Sequence, residues 1–325
     1  MAGTFYDQIA ANRRNSVLLA LAVTLILGAL GFSIGYALTG ELAGGLGATL
    51  FAVAIGLLMS LGSYFAGDQL VLTASAAKEV DEASAPQLFN VVREMTLAAN
   101  IPMPRVYLID DTAPNAFATG RDPAHASLAI TTGLLQKLDR EELQGVIGHE
   151  MSHIRNLDIR FSLIVVVLVG SIALLSDFFL RWTWWGGGPR SRSSRDSGGG
   201  GLQAVMMVVA IVLAVLAPIA ARLVQLAVSR QREYLADASS VDLTRNPAGI
   251  ERALVKIAED HEVLEVANRA TQHLYFTNPI KKFEQRSANL FSTHPAIVDR
   301  INRLRELTGE RPLAPAEVAP LSGLD

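Results

Sequence analysis

The sequence predicts a mainly α-helical chain with a small β-sheet, held in a membrane by about four helices. Three observations predict this. Hydrophobic residues make up 50% of the 325 in the chain, and four long apolar runs hold most of that excess. The segments between and after them mix amphipathic helical spacing with short strand-like stretches. One of the predicted helices carries HEMSH at 149–153, two histidines one turn apart with a glutamate between them.

The apolar runs are Ser16–Leu38, Gly45–Ala66, Phe161–Leu180 and Leu202–Ala220. Each reaches or approaches the roughly 20 residues that a helix needs to cross a hydrocarbon core of about 30 Å. Soluble domains seldom contain helices that are apolar on every side, and here four dominate the chain. The first run follows Arg13 and Arg14. It is too long for the apolar part of a secretion signal, and a second run follows closely, so it reads as a retained anchor. Arginine placement sets the orientation. Arg13 and Arg14 put the N-terminus in the cytoplasm, and the loop 40–44 has no Lys or Arg, as an exported loop should. Residues 67–160 and the C-terminal part then both face the cytoplasm. The loop 181–201 opposes this rule, because Arg190, Arg192 and Arg195 fall on its exported side. That leaves open whether the second hairpin crosses fully. Trp182, Trp184 and Trp185 open this loop where an interfacial aromatic belt belongs, and its Gly/Ser-rich remainder reads as a linker.

These features divide the chain into an N-terminal membrane hairpin (1–66), a first soluble part (67–160), a second hairpin (161–226) and a second soluble part (227–325). In the first soluble part, 85–99 has Leu88, Val91, Val92 and Met95 at helical spacing. Strands are predicted at 105–110, 115–119 and 128–132, the last two joined by a turn with Gly120, Asp122 and Pro123. A helix starts near Asp139, which with Glu142 forms a capping-box pattern. After the fourth run, helices are predicted at 222–242, 247–267 and 295–308, with no strand and a loose tail over 309–325.

Composition excludes several chemistries. The net charge of −3 offers no basic field for nucleic acid. Without cysteine there is no disulfide, no thiolate metal site and no thiol nucleophile, so any metal is held by His, Asp or Glu. His149 and His153 lie on one helix face and can bind one metal. Glu150 projects beside them, placed to take a proton from a zinc-activated water and to return it to a leaving amine. A catalytic zinc needs a third protein ligand. SRQREYLADA at 229–238 offers Glu233, with Asp237 one turn further on, where it can orient a ligand by hydrogen bonding. Two membrane crossings separate His153 from Glu233, which returns both to the same side.

Four stretches carry a family resemblance: PNAFATG (114–120), GHEMSHI (148–154), SRQREYLADA (229–238) and STHPAIVDRI (292–301). With the order of apolar runs, they make the chain similar over nearly its whole length to the HtpX-like membrane peptidases of the M48 group. The resemblance implies a cytoplasmic, gluzincin-like zinc protease domain holding one Zn2+ per subunit. His149, His153 and Glu233 would be the ligands and Glu150 the base. It also implies a bacterial inner-membrane enzyme that degrades misfolded membrane proteins under heat or envelope stress. Its partners would be the lipid bilayer and membrane-protein or unfolded polypeptide substrates, with association with other membrane proteases left open.

Two further readings concern substrate and transition state. Asn115, Ala116, Phe117 and Ala118 read either as an edge strand to which an extended peptide adds, where the small Ala116, Ala118 and Gly120 let a backbone approach, or as an ordinary loop-to-strand junction. His294, just before the last long helix, is placed either to donate to an oxyanion or to cap and pack that helix, with Arg300 as a structural partner. His125, His261 and His273 lack a motif and read as surface residues. Rival functions are a maturation protease for lipidated or prenylated peptides, which usually has more spans, and a catalytically silent membrane adaptor, which has no need of Glu150. A transporter finds little support, because the apolar runs are nearly devoid of ionisable residues.

Overall fold

The structure, a computed structural model, describes residues 5–187, 200–260, 262, 264, 275–276 and 295–322. It divides into two compact units. One consists of Arg14–Ser63 and Leu163–Gln225, and the other is built mainly from Tyr64–Ser162 and the described residues from Leu226 onward.

The first unit is helical. It contains most of α1 (Phe5–Thr39) and the larger parts of α2 (Leu42–Ala74) and α6 (Asp158–Trp182), with the beginning of α7 (Gly200–Thr244). Among the described residues, four helical segments are long and apolar enough to cross a membrane: Val17–Thr39, Leu42–Ala74, Asp158–Trp185 and Gly201–Leu223. Leu25, Leu50, Phe51 and Phe178 point outward on this unit, as lipid would favour and water would not. Small residues bring α1 and α2 together. A Cβ on Gly35 would stand 2.4 Å from the Gly44 carbonyl oxygen, so only glycine permits this approach. Thr49 Oγ1 donates to the Gly28 carbonyl across the same contact at 3.2 Å.

The second unit holds a four-stranded sheet in the order β1-β2-β4-β3. The strands are β1 (Lys78–Glu79), β2 (Arg105–Ile109), β3 (Ala116–Gly120) and β4 (Ala126–Thr131). β2 and β4 are parallel (Val106 opposite Leu128), while β3 runs antiparallel to β4 (Ala118 opposite Leu128) and lies at an edge. The three predicted strands are present within two residues of their expected bounds, and β1 is a short addition that periodicity cannot reveal. Helices α3 (Pro86–Ala99), α4 (Thr132–Lys137), α5 (Arg140–Arg155) and α8 (Pro247–Glu259) surround the core. Leu88, Val91, Val92, Leu128, Ile130, Leu143, Val146, Ile147, Ile250 and Leu254 are its buried centre.

α5 is the central element. Asp139 Oδ1 accepts the Glu142 N–H at 2.9 Å and Glu142 Oε2 accepts the Asp139 N–H at 2.8 Å, the capping box expected from sequence. From there α5 is buried on nearly every side. A Cβ on Gly145 would lie 2.7 Å from the Ile250 Cα, so the glycine sets how closely α5 and α8 approach. The C-terminal elements depart from expectation in two places. The helix expected at 222–242 is the end of one 45-residue helix, α7, which also carries the fourth apolar run. The tail expected to be loose contains α10 (Pro315–Ser322) after α9 (Ile297–Thr308), because the Ala314 N–H is taken by Glu317 Oε2 and α10 packs on α8. The loop after Gly187 and most of 261–294 lie outside the described residues.

Candidate metal centre

α5 ends at Arg155, and Leu157 takes a left-handed backbone (φ 62) before α6 begins at Asp158. α7 runs antiparallel alongside α5, and contacts climb the pair turn by turn. Ser240 Oγ donates to the Gly145 carbonyl at 2.6 Å, His149 Nδ1 meets Asp237 Oδ1 at 2.9 Å, and His153 Nε2 meets Glu233 Oε1 at 3.4 Å. One turn forward on α5 matches one turn back on α7, so the i, i+4 pair of histidines faces the i, i+4 pair of carboxylates. Gly148 keeps the helices close, since a Cβ there would stand 3.0 Å from Ser240 Oγ.

His149, His153 and Glu233 converge, their metal-capable atoms all within 4.8 Å of one another. The separations are 3.1 Å between the two Nε2 atoms, 3.7 Å from His149 Nε2 to Glu233 Oε2, and 3.4 Å from His153 Nε2 to Glu233 Oε1. Donors on a tetrahedron with bonds of about 2.05 Å stand about 3.3 Å apart, so these three fit one small cation. Charge agrees with geometry. Glu150, Glu233, Asp237 and Asp158 are buried carboxylates, and Arg232 and Arg300 are buried cations. With all six ionised and the histidines neutral, the cluster carries two excess negative charges, which a divalent ion offsets.

Each histidine is gripped from behind. Asp237 faces His149 and is itself held by Arg300, whose Nε donates to Oδ2 at 2.8 Å and Nη2 to Oδ1 at 2.6 Å. Arg300 Nη1 donates to the Phe276 carbonyl at 2.9 Å, and the Phe276 ring meets His149 edge-on at 4.8 Å. Asp158 Oδ2 lies 3.1 Å from His153 Nδ1. Burial pulls the His149 pKa down to about 4, more than Asp237 raises it. Burial acts the same way on His153, but hydrogen bonds with Asp158 and Glu233 outweigh it and hold the pKa well above 6.5. Burial also raises the Asp237 carboxyl, yet Arg300 prevails and keeps it below its ordinary value. Glu150 is pushed up to about 7 by burial, partly countered by His153 and by an N–H donated from Ala118.

Ala118 belongs to the edge strand expected to receive substrate. Its N–H turns away from β4 toward Glu150. Two residues earlier, the Ala116 carbonyl on the same side accepts the Phe276 N–H at 2.7 Å. Asn115 precedes β3 and accepts from the Thr131 N–H through its backbone carbonyl at 3.0 Å. Phe117 points to the other face of the sheet and packs on Tyr275, ring centroids 5.1 Å apart. His294, His261 and His273 fall outside the described residues, and His125 is exposed as expected, with its ring against Asp122 at 2.8 Å.

Sequence reasoning missed three participants. Arg300 was expected only to support His294, and Asp158 and Arg232 were given no role. Asp158 lies five residues after His153, off its helical face, and only the reversal at Leu157 brings it back. Arg300, the ninth residue of STHPAIVDRI, is a buried arginine that leaves no periodic signature.

Residues 82–308 match the family described as Peptidase family M48. Among curated relatives, a Protease HtpX homolog of Streptococcus pneumoniae is 48% identical over 304 residues, covering 93% of this chain and 99% of the relative. Homologs of the same description from Streptococcus mutans and Levilactobacillus brevis are 47% and 45% identical, each over 93% of this chain and 99% of the relative. Among solved structures, the crystal structure of S. mikatae Ste24p aligns with a TM-score of 0.49 at 15% identity, covering 92% of this chain and 67% of that one.

Proposed function

The chain belongs to peptidase family M48 and is a multi-pass membrane metalloprotease, and from that premise we propose that it is a zinc-dependent endopeptidase for misfolded or damaged membrane proteins. The convergence of His149, His153 and Glu233 beside a buried Glu150 carries this reading. His149, His153 and Glu233 would hold the zinc, three protein ligands being the number a catalytic zinc site uses. When bound, the metal supplies a Lewis acid for water and for the scissile carbonyl.

The protein's own groups do the rest. Glu150, with its carboxyl raised to about 7, is poised to accept a proton from the attacking water near neutral pH. It then releases that proton to the leaving amine. The Ala118 N–H fixes the carboxylate on the β3 side. Asp237 accepts from His149 Nδ1–H and so fixes its tautomer, leaving Nε2 for the metal.

The outward edge of β3 suits an extended peptide, with main-chain hydrogen bonds giving affinity independent of sequence. Asn115, Ala116, Phe117 and Ala118 form that platform, and a peptide reaching Ala116 exchanges with the Phe276 N–H. We place the protein in the bacterial inner membrane with the active site facing the cytoplasm, and we assign it to the response to heat or envelope stress. The arginines before the first span and the absence of Lys and Arg from 40–44 support that orientation. Glu150→Gln removes the base without touching a ligand. It should keep zinc and lose cleavage by at least about 10²-fold, and normal turnover of an unfolded membrane protein by that variant refutes the role. Proteins that accumulate in membranes carrying only Glu150→Gln would identify the substrates.

A further inference from the structure

The second grip, on His153, comes from Asp158, which lies outside the four motif stretches. We propose that Asp158 and Arg232 form a positioning pair that fixes His153 for the metal, matching what Asp237 and Arg300 do for His149. Asp158 Oδ2 is 3.1 Å from His153 Nδ1, leaving Nε2 turned toward Glu233. The other oxygen, Oδ1, is 3.5 Å from Arg232 Nε. Both residues are buried, at 4% exposure each, so neither is a solvated surface charge. The Arg232 guanidinium in turn lies over the Phe161 ring, 3.7 Å from its centroid, and Phe161 is one turn beyond Asp158 on α6. The first turn of α6 therefore supplies both the carboxylate and the aromatic plate that confine Arg232.

Two consequences follow for the site. A carboxylate behind a ligating imidazole fixes the tautomer and raises ligand basicity, so its removal weakens metal binding. Arg232 precedes Glu233 on α7, so the pair also joins the helix that supplies the third ligand to the helix turn that orients the second. The two His–Asp–Arg arrangements approach the metal position from opposite ends of the HEMSH turn. A rotation of either imidazole is resisted by a buried ion pair.

This inference rests on the metal-site reading above. The test uses the full chain in detergent, stripped of metal and titrated with Zn2+ against a chromophoric chelator. Asp158→Asn should weaken Zn2+ binding about 10- to 100-fold, and Asp158→Glu should recover part of the loss. The same substitution in a His153→Gln background should have little further effect, because its target is gone. A purely structural role would weaken both backgrounds alike, and that result overturns the proposal, as does unchanged affinity in Asp158→Asn alone. Glu233→Gln is run alongside. If it binds Zn2+ as tightly as the unaltered protein, the metal-site reading itself fails. If it loses Zn2+ while Asp158→Asn does not, only the positioning role fails.

Discussion

Replacing Arg300 with methionine removes the cation that, with the His149 ring, makes the buried Asp237 carboxylate tolerable. Arg300 is 1% exposed and donates twice to Asp237 and once to the Phe276 carbonyl. Asp237 is 2% exposed, so no water replaces the lost donors. Breaking a buried pair from one side costs about 3–5 kcal/mol, because the remaining charge is stranded. The cost should be highest near neutral pH. In the native protein Arg300 holds the Asp237 pKa below its ordinary value, so the pair's contribution is present above the unfolded carboxyl's pKa and lost as pH falls through the folded one. In Arg300→Met the sign reverses. Burial raises the Asp237 pKa, protonation relieves the strain, and the deficit shrinks as pH falls. The assay is urea-dependent hydrogen exchange of α5 amides in the metal-free, detergent-solubilised full chain. Arg300→Met with Asp237→Asn should lose clearly less than the two single losses added together. A single-variant loss under about 1 kcal/mol, a deficit that grows in acid, or strict additivity would refute the argument.

Metal binding should weaken as pH falls, by about tenfold per unit while one ligand proton must be displaced. His153 is the residue responsible, since Asp158 and Glu233 raise its pKa in the metal-free site while His149 is already neutral. Zn2+ affinity that is flat from pH 8 to 5 would contradict this. Gly145→Ala should destabilise the sheet-containing unit by about 1–3 kcal/mol through overpacking, because its Cβ would meet the Ile250 backbone at 2.7 Å and backbone cannot rotate away. An unchanged unfolding midpoint in urea would show that α5 and α8 part without cost. Ala118→Pro deletes the N–H given to Glu150, whose pKa then rises. The acid limb of kcat/KM should move to higher pH, with activity down about tenfold, and an unmoved limb would mean that the donor does not act on Glu150.

Local features of the chain were legible from spacing. Apolar runs of membrane length, the capping box at Asp139 and the shared face of His149 and His153 each depend on residues within a few turns. A helix or strand imposes its period on such residues whatever lies around it. The place of Glu233 in the cluster with the two histidines was also legible, as Glu233 with Asp237 repeats their i, i+4 spacing. α10 was not, because a Pro-rich octapeptide is helical here only by packing on α8 and by the Glu317 cap on the Ala314 N–H. A weak propensity gives way to tertiary contact in such a segment.

The sequence alone determined that this protein is a membrane-anchored helical chain with a HExxH helix and a carboxylate partner for it. Tertiary structure alone decided what holds that site in shape. Arg300 reaches Asp237 across 63 residues, and Ser240 meets Gly145 across 95. Asp158 returns to His153 only because Leu157 reverses the chain in a left-handed turn. Such contacts depend on how helices pack and where the backbone turns, and neither is written in the period of any one segment.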